Sequence, residues 1–176
     1  MKDDFVMPIL VLTLICLIFT SALAFTNSIT SPIIKAAAVE RENTARYEMI
    51  PEAESFVNVP LVADGLPSTI KEVYNTTNNV GYIFIVTGNG YGGELRIICA
   101  LDSSGAIIRS GVLQSNETKG LGSRVADESF SDQFIGKSGQ VDGVVAVSGA
   151  TLSTNAYVGA IRDVFDAYEI IKGVSE

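Results

Sequence analysis

From Phe5 to Ile34 the chain carries no charged residue, and no other feature restricts its fold so severely. The part from Phe5 through Phe25 is dense in Leu, Ile and Val and matches the about 20 apolar residues that a helix needs to cross a bilayer. The sequence therefore predicts a single transmembrane anchor over residues 1–27, held in the lipid bilayer. A secretory signal peptide is the rival reading, because Ala22-Leu23-Ala24 resembles a small-residue cleavage site. Against it, the apolar run exceeds the roughly 7–15 residues of a signal core, and Asp3-Asp4 spoils a basic leader. Flanking charge leaves the orientation open. Lys2 on one side faces Lys35, Arg41 and Arg46 on the other, and long domains cross largely regardless of such charges.

Behind the anchor about 150 residues remain, the size of one compact domain. The net charge is −8, and setting Lys2, Asp3 and Asp4 aside with the anchor leaves 11 basic against 18 acidic residues. Such a surface repels nucleic acid, so no nucleic-acid partner is expected. Histidine is absent, which removes Ser-His and Cys-His catalysis, imidazole proton shuttling and the commonest metal ligand. The cysteines are Cys16, inside the apolar stretch, and Cys99. Neither a disulfide framework nor a four-thiolate metal site can be assembled from them. No catalytic residue and no metal ligand is identified. If this chain handles electrons, an organic cofactor must carry them.

Ser31-Pro32 reads as an N-cap and first-turn proline opening a juxtamembrane helix over residues 28–50, which Pro51 stops. Residues 52–68 carry Pro60 and Pro67 and read as irregular, with room for one short strand. Four β-branched or aromatic segments follow, at Ile70 to Tyr74, Val80 to Thr87, Leu95 to Leu101 and Ala106 to Leu113. Their short connectors favour an antiparallel meander. Gln114 to Gly143 is polar and glycine-containing, without a clear period. In the last element Val158, Ile161, Phe165, Tyr168 and Ile171 share one helical face, while Asn155, Arg162, Asp166 and Glu169 fall elsewhere. Lys172-Gly173 is the expected end of that helix. The fold class is α+β, with an antiparallel sheet and a packing C-terminal helix filling residues 51–176.

Val147 to Asn155 leads straight into the final helix. Small residues there let a ligand approach the backbone, and a helix start favours a phosphate. Ser148 or Thr151 serves equally well as a plain N-cap. Gly90-Tyr91-Gly92-Gly93 fits a hairpin connection, and Gly120 to Gly122 a surface turn.

Ser148-Gly149-Ala150-Thr151 resembles the SGAT or TGAT flavinylation motif of FMN-binding domains, as found in the G subunit of the Rnf electron-transport complex and the C subunit of the sodium-pumping NADH:quinone reductase. Gly90-Tyr91-Gly92-Gly93 is similar to that family's GYGG segment. Glu117-Thr118-Lys119-Gly120-Leu121-Gly122 resembles its ETPGLG loop, with lysine in place of proline. The three stretches stand in the family's order behind one apolar helix. Val145 occupies the place where the family pattern carries an aspartate, and Asp142 lies three residues further back. Either the loop holds an insertion or the modifying enzyme docks differently.

The resemblance implies an FMN-binding domain in an ion-translocating electron-transport complex. FMN would be joined by a phosphoester to Thr151 by a separate flavin transferase acting on FAD. An unactivated threonine hydroxyl is a poor nucleophile and this chain has no histidine to activate it, which agrees with outside help. Ser148, Gly149, Ala150, Ser153 and Thr154 would surround the phosphate. Tyr91, Gly92, Glu117, Thr118, Leu121 and Gly122 would line the ring. Other subunits of the complex are the expected partners. The implied topology puts the N-terminus in the cytoplasm and the flavin domain on the outer face of the cell membrane. A membrane-tethered FMN-binding or sensing module outside any ion pump is the competing reading, and an anchored scaffold without flavin is a third.

Overall fold

The computed structural model describes residues 3–61 and 65–175. Lys2, used above as a flanking charge, and residues 62–64 of the irregular segment lie outside the described residues. Contacts divide the chain into residues 1–43 and 44–176.

The first unit belongs to helix α1, Asp3–Met49. The helix contains a stretch long and apolar enough to cross a membrane. Its Leu, Ile and Phe side chains stand exposed along the whole apolar length, as a lipid-facing helix requires. The expected break at Ser31-Pro32 does not occur, because Pro8 and Pro32 both lie inside α1. A proline within a helix costs about 3 kcal/mol. A separate second helix would instead leave four unpaired C=O groups at one new end and four unpaired N–H groups at the other. With Ala36-Ala37-Ala38 following, continuation is the cheaper course.

The second unit is built on a five-stranded antiparallel sheet in the order β1-β2-β3-β4-β5. The strands are β1 Phe56–Asn58, β2 Ile70–Thr76, β3 Gly81–Asn89, β4 Glu94–Asp102 and β5 Ile107–Ser115. Every strand pairs with the next in sequence, so the meander is as expected, and β1 is the short strand within the irregular segment. Ile83 to Val86 and Ile97 to Leu101 are buried at every position, because both faces of the sheet are covered. Alternate side chains point to opposite faces. Phe84, Val86, Ile97, Cys99 and Leu101 meet Tyr157, Ile161, Val164, Phe165 and Tyr168 of helix α3, Thr151–Ser175. Ile83, Ile85, Ile98 and Ala100 meet Ile50 and Ala53, with Ala45 and Met49 of the last turns of α1 packed alongside.

At that second face Arg46 donates to the Tyr74 hydroxyl at 2.8 Å and lies over its ring, while Arg96 donates to Glu72 at 2.8 Å. Burial alone would raise the Glu72 carboxyl. The Tyr74 hydroxyl and the Arg96 and Arg46 guanidiniums outweigh it and hold the group below its usual range.

The stretch after β5 has no period because it is a chain of short turns: 3-10 turns at Gly122–Ala126 and Asp132–Phe134 flank a four-residue helix α2, Glu128–Ser131. Val125, Phe130, Phe134 and Val141 anchor it in the core. On α3 Ile161, Phe165, Tyr168 and Ile171 of the predicted stripe are buried, Val158 is half-buried against the core, and Asn155, Arg162, Asp166 and Glu169 are exposed. The helix runs on past Gly173 to Ser175, two residues beyond its expected end, which is the usual fraying margin of a helix terminus.

Candidate functional site

Ser148 and Gly149 form the middle of a turn closed by the Ala150 N–H donating to the Val147 carbonyl at 3.0 Å. Gly149 has φ +79°, the third position that glycine fills in a type II turn. The Ala150 carbonyl then accepts the Thr154 N–H at 2.9 Å and α3 begins. Thr151 is therefore the first residue of the helix, and it is exposed. Among the described residues neither its hydroxyl nor that of Ser148 has a hydrogen-bond partner, so neither acts as the plain N-cap that the sequence allowed. The N–H groups of Thr151, Leu152 and Ser153 have no acceptor among the described residues either. Those donors and the positive end of the helix dipole lie at the helix start beside the free hydroxyl.

Ser153 and Thr154 point the other way. Both are buried, Ser153 donating to Glu117 Oε1 at 2.7 Å and Thr154 Oγ1 accepting the Val147 N–H at 3.1 Å. Their hydroxyls are committed inside the domain. Ala150 is buried beneath the turn.

The hairpin loop between β3 and β4 carries Tyr91 and Gly92, and the Gly90 N–H donates to the Gly93 carbonyl at 2.9 Å. Gly92 donates its N–H to Glu117 Oε2 at 3.0 Å. Thr118 is exposed, and its carbonyl accepts the N–H groups of Leu121 and Ser123. Gly122 is buried. A Cβ on Gly149 would come 2.9 Å from Leu121 Cδ2, so Leu121 lies over the turn before Thr151. The structure thus joins the GYGG loop to the 117–122 loop and that loop to the start of α3.

Four apolar side chains stand unusually free near this junction: Tyr91 is 76% exposed, Val145 72%, Leu152 59% and Leu121 48%. Val145 and Leu152 escaped the sequence reading. Leu152 was detectable, since it falls off the buried stripe of α3 and has no core to serve. Val145 is held by Gln133, whose side chain accepts its N–H at 2.8 Å and donates to its carbonyl at 3.4 Å. A cleft of about 190 Å³ opens between residues 124–133 and 145–148, with Arg124, Asp127, Ser129, Gln133 and Ser148 as its polar lining. Asp142 lies away from it on an exposed turn, where its carbonyl accepts Lys137 Nζ at 2.8 Å. Among the described residues no His, Cys, Asp or Glu cluster able to hold a metal exists. Cys99 is buried among apolar neighbours, and that burial pushes its thiol far up.

A flavin nucleotide fits this site. A free hydroxyl and the unpaired N–H groups of a helix start suit a phosphate, and exposed apolar side chains on adjoining loops suit an aromatic ring. The class so defined is an FMN-binding domain, and the FMN-binding domain family matches residues 90–166.

The whole chain is similar to the G subunit of the Na(+)-translocating ferredoxin:NAD(+) oxidoreductase complex of Acetobacterium woodii, 30% identical across 91% of this chain and 89% of that protein. It is similar as well to the G subunit of the proton-translocating ferredoxin:NAD(+) oxidoreductase complex of Clostridium ljungdahlii, at 27% across 94% and 85%. A solved structure, the C subunit of the Na(+)-translocating NADH-quinone reductase from Parabacteroides distasonis, aligns at 22% identity with a TM-score of 0.46 over 57% of this chain and 60% of that one. The chain belongs to the family of G subunits of ion-translocating oxidoreductase complexes.

Proposed function

We propose that this chain is the flavin-carrying G subunit of an Rnf-type ion-translocating electron-transport complex, with FMN held covalently on Thr151. The full-length similarity to G-subunit proteins carries the first part of the reading. The exposed, partnerless hydroxyl of Thr151 inside Ser148-Gly149-Ala150-Thr151 supports the second. When bound, FMN supplies one- and two-electron chemistry through its ring.

In attachment the Thr151 hydroxyl displaces AMP from the FMN-side phosphorus of FAD. Its proton passes to a base of the flavin transferase, since this chain offers no histidine. The N–H groups at the start of α3 would hold the phosphate. The exposed Tyr91, Leu121, Val145 and Leu152 would cover apolar ring surface. The covalent bond serves retention, because a carrier that shuttles electrons between partners must not lose its cofactor.

Two expected outcomes test the setting. Protease added to intact spheroplasts digests the domain from outside and spares the N-terminus, which fixes the outward orientation; full protection of the domain contradicts it. Mild-detergent extraction brings the chain out together with polytopic membrane proteins of the complex. Recovery of free monomer only, with native-like flavin, would favour the tethered module over membership of a complex.

A further inference from the structure

We propose that Glu117 is a positioning residue for flavin attachment, a side chain that ties the first turn of α3 to the Gly90–Gly93 loop and so fixes the turn presenting Thr151. The proposal rests on the reading of Thr151 as the attachment point. Glu117 Oε1 accepts from the Ser153 hydroxyl at 2.7 Å and Oε2 accepts the Gly92 N–H at 3.0 Å. Ser153 is fully buried in the first turn of α3, two residues past Thr151, so this bond sets the rotation of the helix start.

The surrounding glycines are shaped around the carboxylate. A Cβ on Gly90 would collide with Glu117 Oε1 and a Cβ on Gly122 with Oε2, while one on Gly92 would come 2.6 Å from the Asn116 carbonyl oxygen and 2.8 Å from Glu117 Cα. None of these three glycines has a positive φ. Their backbones suit any residue, and at Gly90 and Gly122 it is the Glu117 carboxylate that fills the space a side chain would need. The Glu117 N–H is itself pinned, donating to Ser115 Oγ at 3.1 Å.

Leu121 grips the same segment at a second point, over Gly149. Residues 117–122 thus hold the attachment segment on both sides of Thr151. Because the Thr151 hydroxyl has no partner among the described residues, its place depends wholly on the backbone beneath it. Nucleophile and phosphorus must meet in line, and a displacement of about 1 Å costs on the order of 100-fold in rate.

The test uses the full-length chain produced in membranes with a flavin transferase. Initial rates of covalent labelling are read from flavin fluorescence of the denatured band, per folded molecule as measured by thermal unfolding. Glu117→Ala and Gly122→Ala, which remove or displace the same carboxylate, each slow labelling by on the order of 100-fold. Glu117→Gln keeps an acceptor for Ser153 but sets an amide NH₂ against the Gly92 N–H, and slows labelling by about tenfold. Adding Ser153→Ala to Glu117→Ala brings no further loss, since both cut one tie.

A merely structural role would change the folded fraction and leave the rate per folded molecule untouched. Labelling of both alanine variants at the wild-type rate overturns the proposal. If the alanine variants fail to fold, a wild-type rate for Glu117→Gln overturns it. A wild-type chain without covalent flavin on Thr151 removes the underlying reading, and this proposal with it.

Discussion

A Thr151→Ala chain is expected to fold, insert into the membrane and carry no covalent flavin. The phosphoester needs a hydroxyl at that point of the chain, and alanine has none. The effect is all-or-none, because the two neighbouring hydroxyls cannot take over: Ser153 and Thr154 are buried and bonded to Glu117 and to the Val147 N–H. Structure should survive, since the Thr151 hydroxyl has no hydrogen-bond partner among the described residues and the side chain is exposed. Substitutions of that kind stay within about 0.5 kcal/mol. Ser153→Ala and Thr154→Ala keep the adduct on Thr151, the first forming it more slowly. Fluorescence of the denatured band under ultraviolet light reads the loss, and peptide mass spectrometry locates the adduct. A Thr151→Ala protein that remains covalently flavinylated refutes the assignment.

Features written in consecutive residues were legible in the sequence. The apolar anchor, the four main strands and the stripe on α3 each follow from a local pattern, and the meander follows from connectors too short for a crossover. The fusion of two expected helices into α1 was not legible, because a Ser-Pro pair carries the same local signal at a helix start and inside a helix. What decided the matter was the number of terminal N–H and C=O groups a break would strand.

At the candidate site the structure brings the motif-bearing loops together, and the motifs alone do not tell which of their side chains are buried. Ser153 and Thr154 look like phosphate ligands by type. Their true direction was available, since both stand three and four residues before Tyr157 and so share its buried stripe. The Glu117 to Ser153 bond joins residues 36 positions apart, and Gln133 meets Val145 from 12 away. A single sequence carries no pairing information across such gaps.

Tyr157→Ala is expected to destabilise the domain by about 3–5 kcal/mol, the usual cost of truncating a large core aromatic. Tyr157 is fully buried, and its ring centroid lies 5.2 Å from those of both Phe130 and Phe134. Its hydroxyl donates to the buried Ser110 Oγ at 2.9 Å, and the same burial pushes the phenol upward so that it stays protonated. Removing it opens a cavity between α3, β5 and the segment of short turns, and leaves Ser110 without its partner.

Against a typical domain stability of about 5–15 kcal/mol, that is a large share. The consequence reaches the site, because Phe130 lines the same cleft as Ser148 and Tyr157 packs against Phe130. Tyr157→Phe keeps the ring and loses one hydrogen bond, for about 1 kcal/mol. Urea denaturation of the detergent-solubilised protein measures both. An alanine variant as stable as the phenylalanine variant would show that the ring cluster is not what fastens the cleft to α3. Loss of flavin in Tyr157→Ala should track the folded fraction, whereas in Thr151→Ala the fold persists and the flavin alone is gone.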